Sequence, residues 1–302
     1  MQLGKGATHR PLQILPMLML FVIAFTNLPS SSDAKSEGPG GSPTCAREVP
    51  SGSTVNPALG EVLLPNSSLS DISAYPCTSA GFSYSTSGNI AYGYQTLSGS
   101  YYYTKYQDQW TVPPAPSSGN FGSPEGLALW DGLQGVGGDI VQPLLVYGCI
   151  TSSDCLNGWR ITGYALCCGL FEEVYYSTPF NANKGDSILG EVLLNPHVTF
   201  CNSDGPAYTV AAGDFKTGQT TNLIICNTDR FQQGDTASVE VHSLSTCSQM
   251  PGNGDDYFTQ IAYTTSPSGG SPHFNAGSDV TFCNAFAQWE GGSQLAIFWT
   301  YS

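Results

Sequence analysis

The side chains able to do chemistry on this chain are few, and one short segment sets three of them on a single line. In Ser238-Val-Glu-Val-His242 the types alternate. As a strand, it turns Ser238, Glu240 and His242 one way and Val239 and Val241 the other. Such a row suits either a solvated sheet face or the floor of a cleft. The other titratable groups are dispersed. His197, His242 and His273 lie far apart and no spacing favours a metal, so no cofactor is expected. There is no His-Glu-x-x-His zinc helix, no Gly-x-Ser-x-Gly elbow and no phosphate-binding Gly-rich loop. Nothing supports a Ser-His-Asp triad, whose members need not be sequential. Glu172-Glu173 and Asp255-Asp256 are adjacent pairs. Neighbours on a strand point to opposite faces, so neither pair is a carboxylate dyad. The first pair opens a strand, and the second, after Gly252-Asn-Gly254, reads as a turn. A glycosidase needs two carboxyls facing each other at about 5–10 Å, and Glu240 with Glu290 is the pair to consider. Five Trp and 16 Tyr suit sugar stacking, but equally a sandwich core.

The elements that must position these groups are strands. After residue 85 nearly every segment is a short apolar-aromatic run closed by Gly, Pro, Asn, Asp or Ser. About fourteen such runs recur at roughly 8–12 residues, the pattern of an all-β sandwich or barrel. They include Ile90–Tyr94, Tyr101–Val112, Ile140–Tyr147, Trp159–Cys167, Ser187–Leu194, His197–Cys201, Ala237–Leu244, Asp279–Phe286 and Leu295–Tyr301. The expected organisation is a signal peptide over 1–35, a Ser/Gly/Pro-rich linker or pro-segment over 36–85, and a β-sandwich over 86–302. Leu59-Gly-Glu-Val-Leu-Leu64 recurs as Leu189-Gly-Glu-Val-Leu-Leu194. A pro-segment whose first copy transiently replaces the second strand is one reading of that repeat; coincidence is the other.

Composition narrows the class. Lys5 and Arg10 precede an apolar run from Leu12 to Phe25, followed by small and polar residues. That run is short for a membrane span and reads as a secretion signal. Ten Cys then act as disulfides in an oxidising compartment. Cys149 and Cys155 are close enough to staple one loop, while the adjacent Cys167 and Cys168 serve different partners. Asn66-Ser-Ser68 is an N-glycosylation acceptor in a loop-like stretch. From residue 36 onward six basic residues face 22 acidic ones, a charge of −16. Nucleic acid is excluded as a partner, since its footprint is basic. A basic surface or an acidic milieu fits.

Several segments, in order, resemble the glutamic peptidases of the eqolisin family over roughly residues 85–245. Trp110-Thr-Val-Pro113 is similar to an early strand ending in Val-Pro. Leu129-Trp-Asp-Gly-Leu-Gln-Gly135 resembles Trp-Val-Gly-Ile-Asp-Gly. Val141-Gln-Pro-Leu-Leu-Val-Tyr-Gly148 resembles Gln-Thr-Ala-Ile-Leu-Gln-Thr-Gly. Asn183-Lys-Gly-Asp-Ser-Ile188, Phe215-Lys-Thr-Gly-Gln219 and Ala237-Ser-Val-Glu-Val-His242 fall where that family has a Gly-Asp-x-Ile turn, Leu-Thr-Thr-Gly-Gln and an Ile-Val-Glu strand. The resemblance implies a concanavalin A-like sandwich of two antiparallel sheets. It also implies acid peptide hydrolysis, in which a Glu takes a proton from water while a Gln amide holds that water and stabilises the oxyanion.

The chain departs from that pattern at the site. Val146 stands at the catalytic Gln and Gln134 replaces the Asp of Ile-Asp-Gly. Gln142, four residues back on the same strand face, is roughly 13 Å from Val146. Aligning Ala237 with the family's Ala puts His242 at the Glu position; a two-residue gap puts Glu240 there, the choice its Val-Glu setting favours. By this resemblance the catalytic candidates are Glu240, Gln142 and Gln134, and the binding candidates are Trp110, Trp130, Asp131 and His242.

Three functions follow. One is an acid endopeptidase with Glu240 as base and Gln142 or Gln134 as amide. Another is a non-catalytic secreted module binding a protein or a surface glycan. The third is a glucanase-like hydrolase. In each case the expected state is an extracellular monomer with no membrane span after signal cleavage.

Overall fold

The structure, a computed structural model, describes residues 45–75, 87–119, 121–135, 139–151, 153–167, 173–201, 206–226 and 230–301. Lys35–Ser302 is one compact unit; Met1–Ala34 is a second, which, with the expected signal peptide, lies outside the described residues. The described chain is strand, turn and two short 3-10 segments, with no α-helix.

Two sheets form. The first runs β1 (Cys45–Val49), β10 (Glu173–Ser177), β9 (Asp154–Cys167), β8 (Ile140–Thr151), β7 (Gly126–Gln134), β15 (Gln233–His242), β5 (Ser87–Thr96), β17 (His273–Gly277), with β11 (Phe180–Asn181) paired to β9. The second runs β18 (Phe286–Trp289), β19 (Leu295–Phe298), β16 (Asp255–Ser266), β6 (Tyr102–Thr111), β12 (Ser187–Asn195), β13 (Ala207–Asp214), β14 (Thr220–Cys226), β2 (Thr54–Asn56), β3 (Glu61–Leu63), β4 (Ser73–Ala74). Nearly all neighbours are antiparallel; β1 joins β10 and β2 joins β14 in parallel. This is the two-sheet β-sandwich that the strand spacing announces.

Alternation builds the core. On β6, Tyr106, Asp108 and Trp110 turn inward, and on β7 Leu127, Leu129, Asp131 and Leu133 do the same. Trp110 stacks on Phe258 at 5.5 Å, and Tyr147 meets Phe121 and Trp159 edge-on at 5.1 and 5.3 Å. Each such side chain contributes about 1.5–3 kcal/mol on burial. β8 is buried on both faces. Val141, Leu145 and Tyr147 join the inter-sheet core, while Leu144, Val146 and Ile150 join a second cluster with Ala46, Ala128, Trp130, Val174 and Tyr176 on the sheet's other face. That two-sided burial explains why β8 reads as a near-continuous apolar run.

Four expectations need correction. The described part of 36–85 is no linker: it supplies β1 to the first sheet and β2, β3 and β4 to the second. Its strands are three to five residues long or shorter, and their Ser/Pro/Gly-rich joints hide them. Thus Leu59–Leu64 holds β3, next to the edge strand β4, while its twin lies in β12, near the middle of the same sheet. His197–Cys201 is a turn, and the strands near Asp279–Phe286 are β17 and β18 on either side. Asp255 and Asp256 open β16 rather than a turn.

Cys149–Cys155, Cys201–Cys226 and Cys247–Cys283 are disulfides, and Cys45 is disulfide-bonded as well. The first staples the β8–β9 hairpin, as the six-residue spacing suggests. Cys168 lies outside the described residues. Among those residues no helix is long and apolar enough to cross a membrane. Asn66 sits exposed in a turn after β3 with φ of 63°.

Candidate functional site

β15 enters the site through an irregularity between Asp235 and Ser238, where its register against β7 shifts. Beyond it Val239 and Val241 enter the inter-sheet core, so Ser238, Glu240 and His242 face the other way. Glu240 stands opposite Asn89 on β5 and Ala128 on β7. Ala128 in turn opposes Val146, and Val146 opposes Arg160. The row across the sheet is therefore Asn89, Glu240, Ala128, Val146, Arg160.

Within that row the Glu240 carboxylate is held by its diagonal neighbours. Trp130 Nε1 donates to Glu240 Oε2 at 3.2 Å, and His242 Nε2 lies 3.4 Å from Oε1. Ser238 Oγ hydrogen-bonds Asn89 Oδ1, whose amide nitrogen donates to Asp279 Oδ2 at 3.0 Å. The Glu240 side chain keeps 23% exposure and His242 15%. Burial pushes the His242 imidazole below the usual histidine range, and the Glu240 charge opposes this. Burial also drives the Tyr164 hydroxyl well up, with Glu240 adding to it, so Tyr164 stays a neutral phenol.

The two candidate amides lie elsewhere. Gln142 shares the Val146 face of β8 but stands opposite Tyr164, four pairs along. At about 3.3 Å per residue that is roughly 13 Å from Val146. It is buried, its Oε1 has no protein partner, and it packs where Gly132 leaves room: a Cβ there would come within 2.9 Å of Gln142 Cβ. Gln134, at the far end of β7, accepts from Gln233 Nε2 at 3.0 Å. Strand spacing puts Val146 about 10 Å from Glu240, and Val has no donor.

The binding candidates separate by face. Trp130 and His242 lie beside Glu240. Asp131, one residue after Trp130, points into the gap between the sheets, and Trp110 fills that core from the second sheet. Period-two alternation forces this division. Glu240 and Glu290 are not brought together: Glu290 follows β18 in the second sheet, exposed, and accepts from Gln294 Nε2 at 3.3 Å. Among the described residues no group of His, Cys, Asp and Glu can hold a metal ion. Tyr164, Asn89 and Arg160 were not singled out in the sequence; only the cross-strand register reveals them. Arg160 pairs with Asp154 at 2.5 Å and donates to Gly148 O at 3.0 Å.

Chemically, the cluster is a carboxylate fixed by an indole N–H and an imidazole, over an apolar-aromatic surface of Ala128, Leu144 and Val146. It can accept from a cation or an N–H donor. Its one amide among the described residues, Asn89, spends its donor on Asp279 rather than on a group at Glu240.

In structure the chain is similar to scytalido-glutamic peptidase with a transition state analog inhibitor, at 13% identity over 71% of this chain and 100% of that one, TM-score 0.46. A second structure of that peptidase, with a peptide-based transition state analog, gives 14% identity and a TM-score of 0.43. The eqolisin-family peptidase SCP-B, in a complex with the tripeptide Ala-Ile-His, is similar at 15% identity over 71% of this chain and 100% of that one, TM-score 0.42. No family model and no curated protein matches the sequence.

Proposed function

We propose that this is a secreted, non-catalytic binding module whose ligand is an extended, basic peptide segment of another protein, engaged at Glu240, His242 and Trp130. The observation that carries the reading is the register. It gives Glu240 the partners Trp130 and His242 and leaves Val146 at the place of the family's Gln, while the one amide in its row, Asn89, is already engaged by Ser238 and Asp279. The charge of −16 from residue 36 onward favours a basic partner. The leader-like run Leu12–Phe25 and the disulfides support secretion.

A second reading, acid peptide hydrolysis, is favoured by one contact: His242 Nε2 at 3.4 Å from Glu240 Oε1 gives the carboxylate a neighbour able to share a proton. One experiment separates the two. Calorimetric titration with extended peptides, with and without Lys or Arg, is run beside cleavage of denatured protein at about pH 2–5. The binding reading expects saturable affinity for the basic peptides, lost in Glu240→Gln, with no turnover. Saturable hydrolysis that disappears in Glu240→Gln overturns it in favour of the hydrolase. Binding to a glycan array alone overturns the choice of peptide.

A further inference from the structure

Three aspartates that play no part in the Glu240 site converge in the core. Asp108 on β6 and Asp256 on β16 come from the second sheet, and Asp131 on β7 from the first. Asp108 and Asp131 are 0% exposed and Asp256 6%. Neither oxygen of Asp108, neither oxygen of Asp131 and not Oδ2 of Asp256 receives a hydrogen bond from another described residue; Asp256 Oδ1 accepts from the Tyr257 amide at 2.8 Å. The backbone makes room for this. Gly190 on β12 stands opposite Asp108, and a Cβ there would fall onto Asp131 Oδ1 and come within 2.8 Å of Trp110 Cζ3. The Asp131 carboxyl thus reaches across from one sheet to lie on the backbone of the other.

Among the described residues no Lys or Arg is ion-paired with these groups. The Lys and Arg ion pairs among the described residues are Arg47–Glu173, Lys105–Glu191, Arg160–Asp154 and Lys216–Asp186. The charges that act on the cluster are acidic: Asp131 and Asp256 on Asp108, Glu191 on Asp131, Asp255 on Asp256. Buried carboxylates without partners are costly, whereas a protonated carboxyl is both donor and acceptor and tolerates burial.

We propose that Asp108, Asp131 and Asp256 form a pH-sensitive lock between the sheets, closed while the carboxyls carry protons and weakened as they ionise, so that the protein is built for an acidic medium. Burial holds all three well above the ordinary aspartate range; repulsion adds to it, from Asp131 and Asp256 on Asp108, from Glu191 on Asp131 and from Asp255 on Asp256, while a backbone hydrogen bond works the other way at Asp131 and at Asp256. The folded state then keeps protons that the unfolded chain releases above about pH 3.9. Stability from these groups is complete below that value and is lost as pH rises from it towards their folded pKa. Each carboxyl kept neutral lowers the folding equilibrium constant about tenfold per pH unit. His242, whose imidazole is pushed down by burial, works the other way, losing stability as pH falls.

The test is denaturant unfolding of the disulfide-intact protein from about pH 3 to about pH 8. The midpoint is expected to fall between about pH 4 and pH 7. Asp108→Asn and Asp131→Asn should each flatten that fall by about tenfold per pH unit in the folding constant and exceed the parent at neutral pH. A midpoint that stays level or rises over this range, or variants that run parallel to the parent, overturns the lock. If a variant does not fold, the infrared spectrum of the parent at about pH 6 decides. A carbonyl band of protonated carboxyl supports the proposal, and its absence refutes it.

Discussion

Gly190→Ala tests the cross-sheet geometry most directly. The new Cβ would meet Asp131 Oδ1 and Cγ, the latter at 2.9 Å, and Trp110 Cζ3 at 2.8 Å. All of these belong to packed core groups that cannot swing into solvent. Overpacking of this kind costs about 1–3 kcal/mol. For a chain of this size that is a fall of about 2–4 °C per kcal/mol in melting temperature. The substitution should be made alone and with Asp131→Ala. Removing the Asp131 carboxyl removes the closer obstacle, so the cost of Gly190→Ala should shrink in that background, leaving a coupling of about 0.5–3 kcal/mol. Denaturant unfolding of the four proteins at one pH gives the cycle. Equal costs in both backgrounds would mean that Asp131 does not lie over Gly190, and the sheet packing described above would be wrong at its centre.

Other outcomes can be checked independently. Asp154→Asn leaves the Arg160 guanidinium, 7% exposed, without its anion. The loss should exceed the about 0–1 kcal/mol of an exposed pair and approach the about 3–5 kcal/mol of a buried one. Unfolding in low and high salt measures it, and a cost that salt abolishes would mark the pair as a surface one. Asn66, exposed in its turn, should carry glycan in the secreted protein. Intact mass before and after deglycosylation, compared with Asn66→Gln, reads this, and identical masses would refute it.

The sandwich was legible because its code is local. Alternation in Ser238–His242 announced which side chains share a face, and Val239 and Val241 indeed lie in the core. The short strands β1 to β4 were not legible, because three residues of strand leave no period to detect. The neighbourhood of Glu240 was readable in part. Glu240 and Trp130 come together, and Gln142 is remote, as its spacing from Val146 on one strand requires. Tyr164 and Asn89 escaped notice because their place depends on register between strands far apart in the chain. Asp256 was hidden by the glycines before it, which mark a turn that ends before Asp255 rather than including both aspartates. Asp131 entered the binding candidates through the resemblance of Leu129–Gly135, although its adjacency to Trp130 on a strand means opposite faces.

That last pair ties the two halves of the molecule together. β7 presents Trp130 to Glu240 on one face and Asp131 to Gly190 on the other. The indole is oriented by the same few backbone bonds that bury the carboxyl. The pleat does not let one side chain move freely of the next, and interiors packed to this density transmit strain rather than absorb it. If the core carboxyls act as proposed, ionisation of Asp131 is expected to strain the strand that positions Trp130 without any contact between the two groups. The Trp130–Glu240 arrangement should then change with pH in the parent and less so in Asp131→Asn, and identical pH profiles of tryptophan fluorescence in the two proteins would refute the coupling.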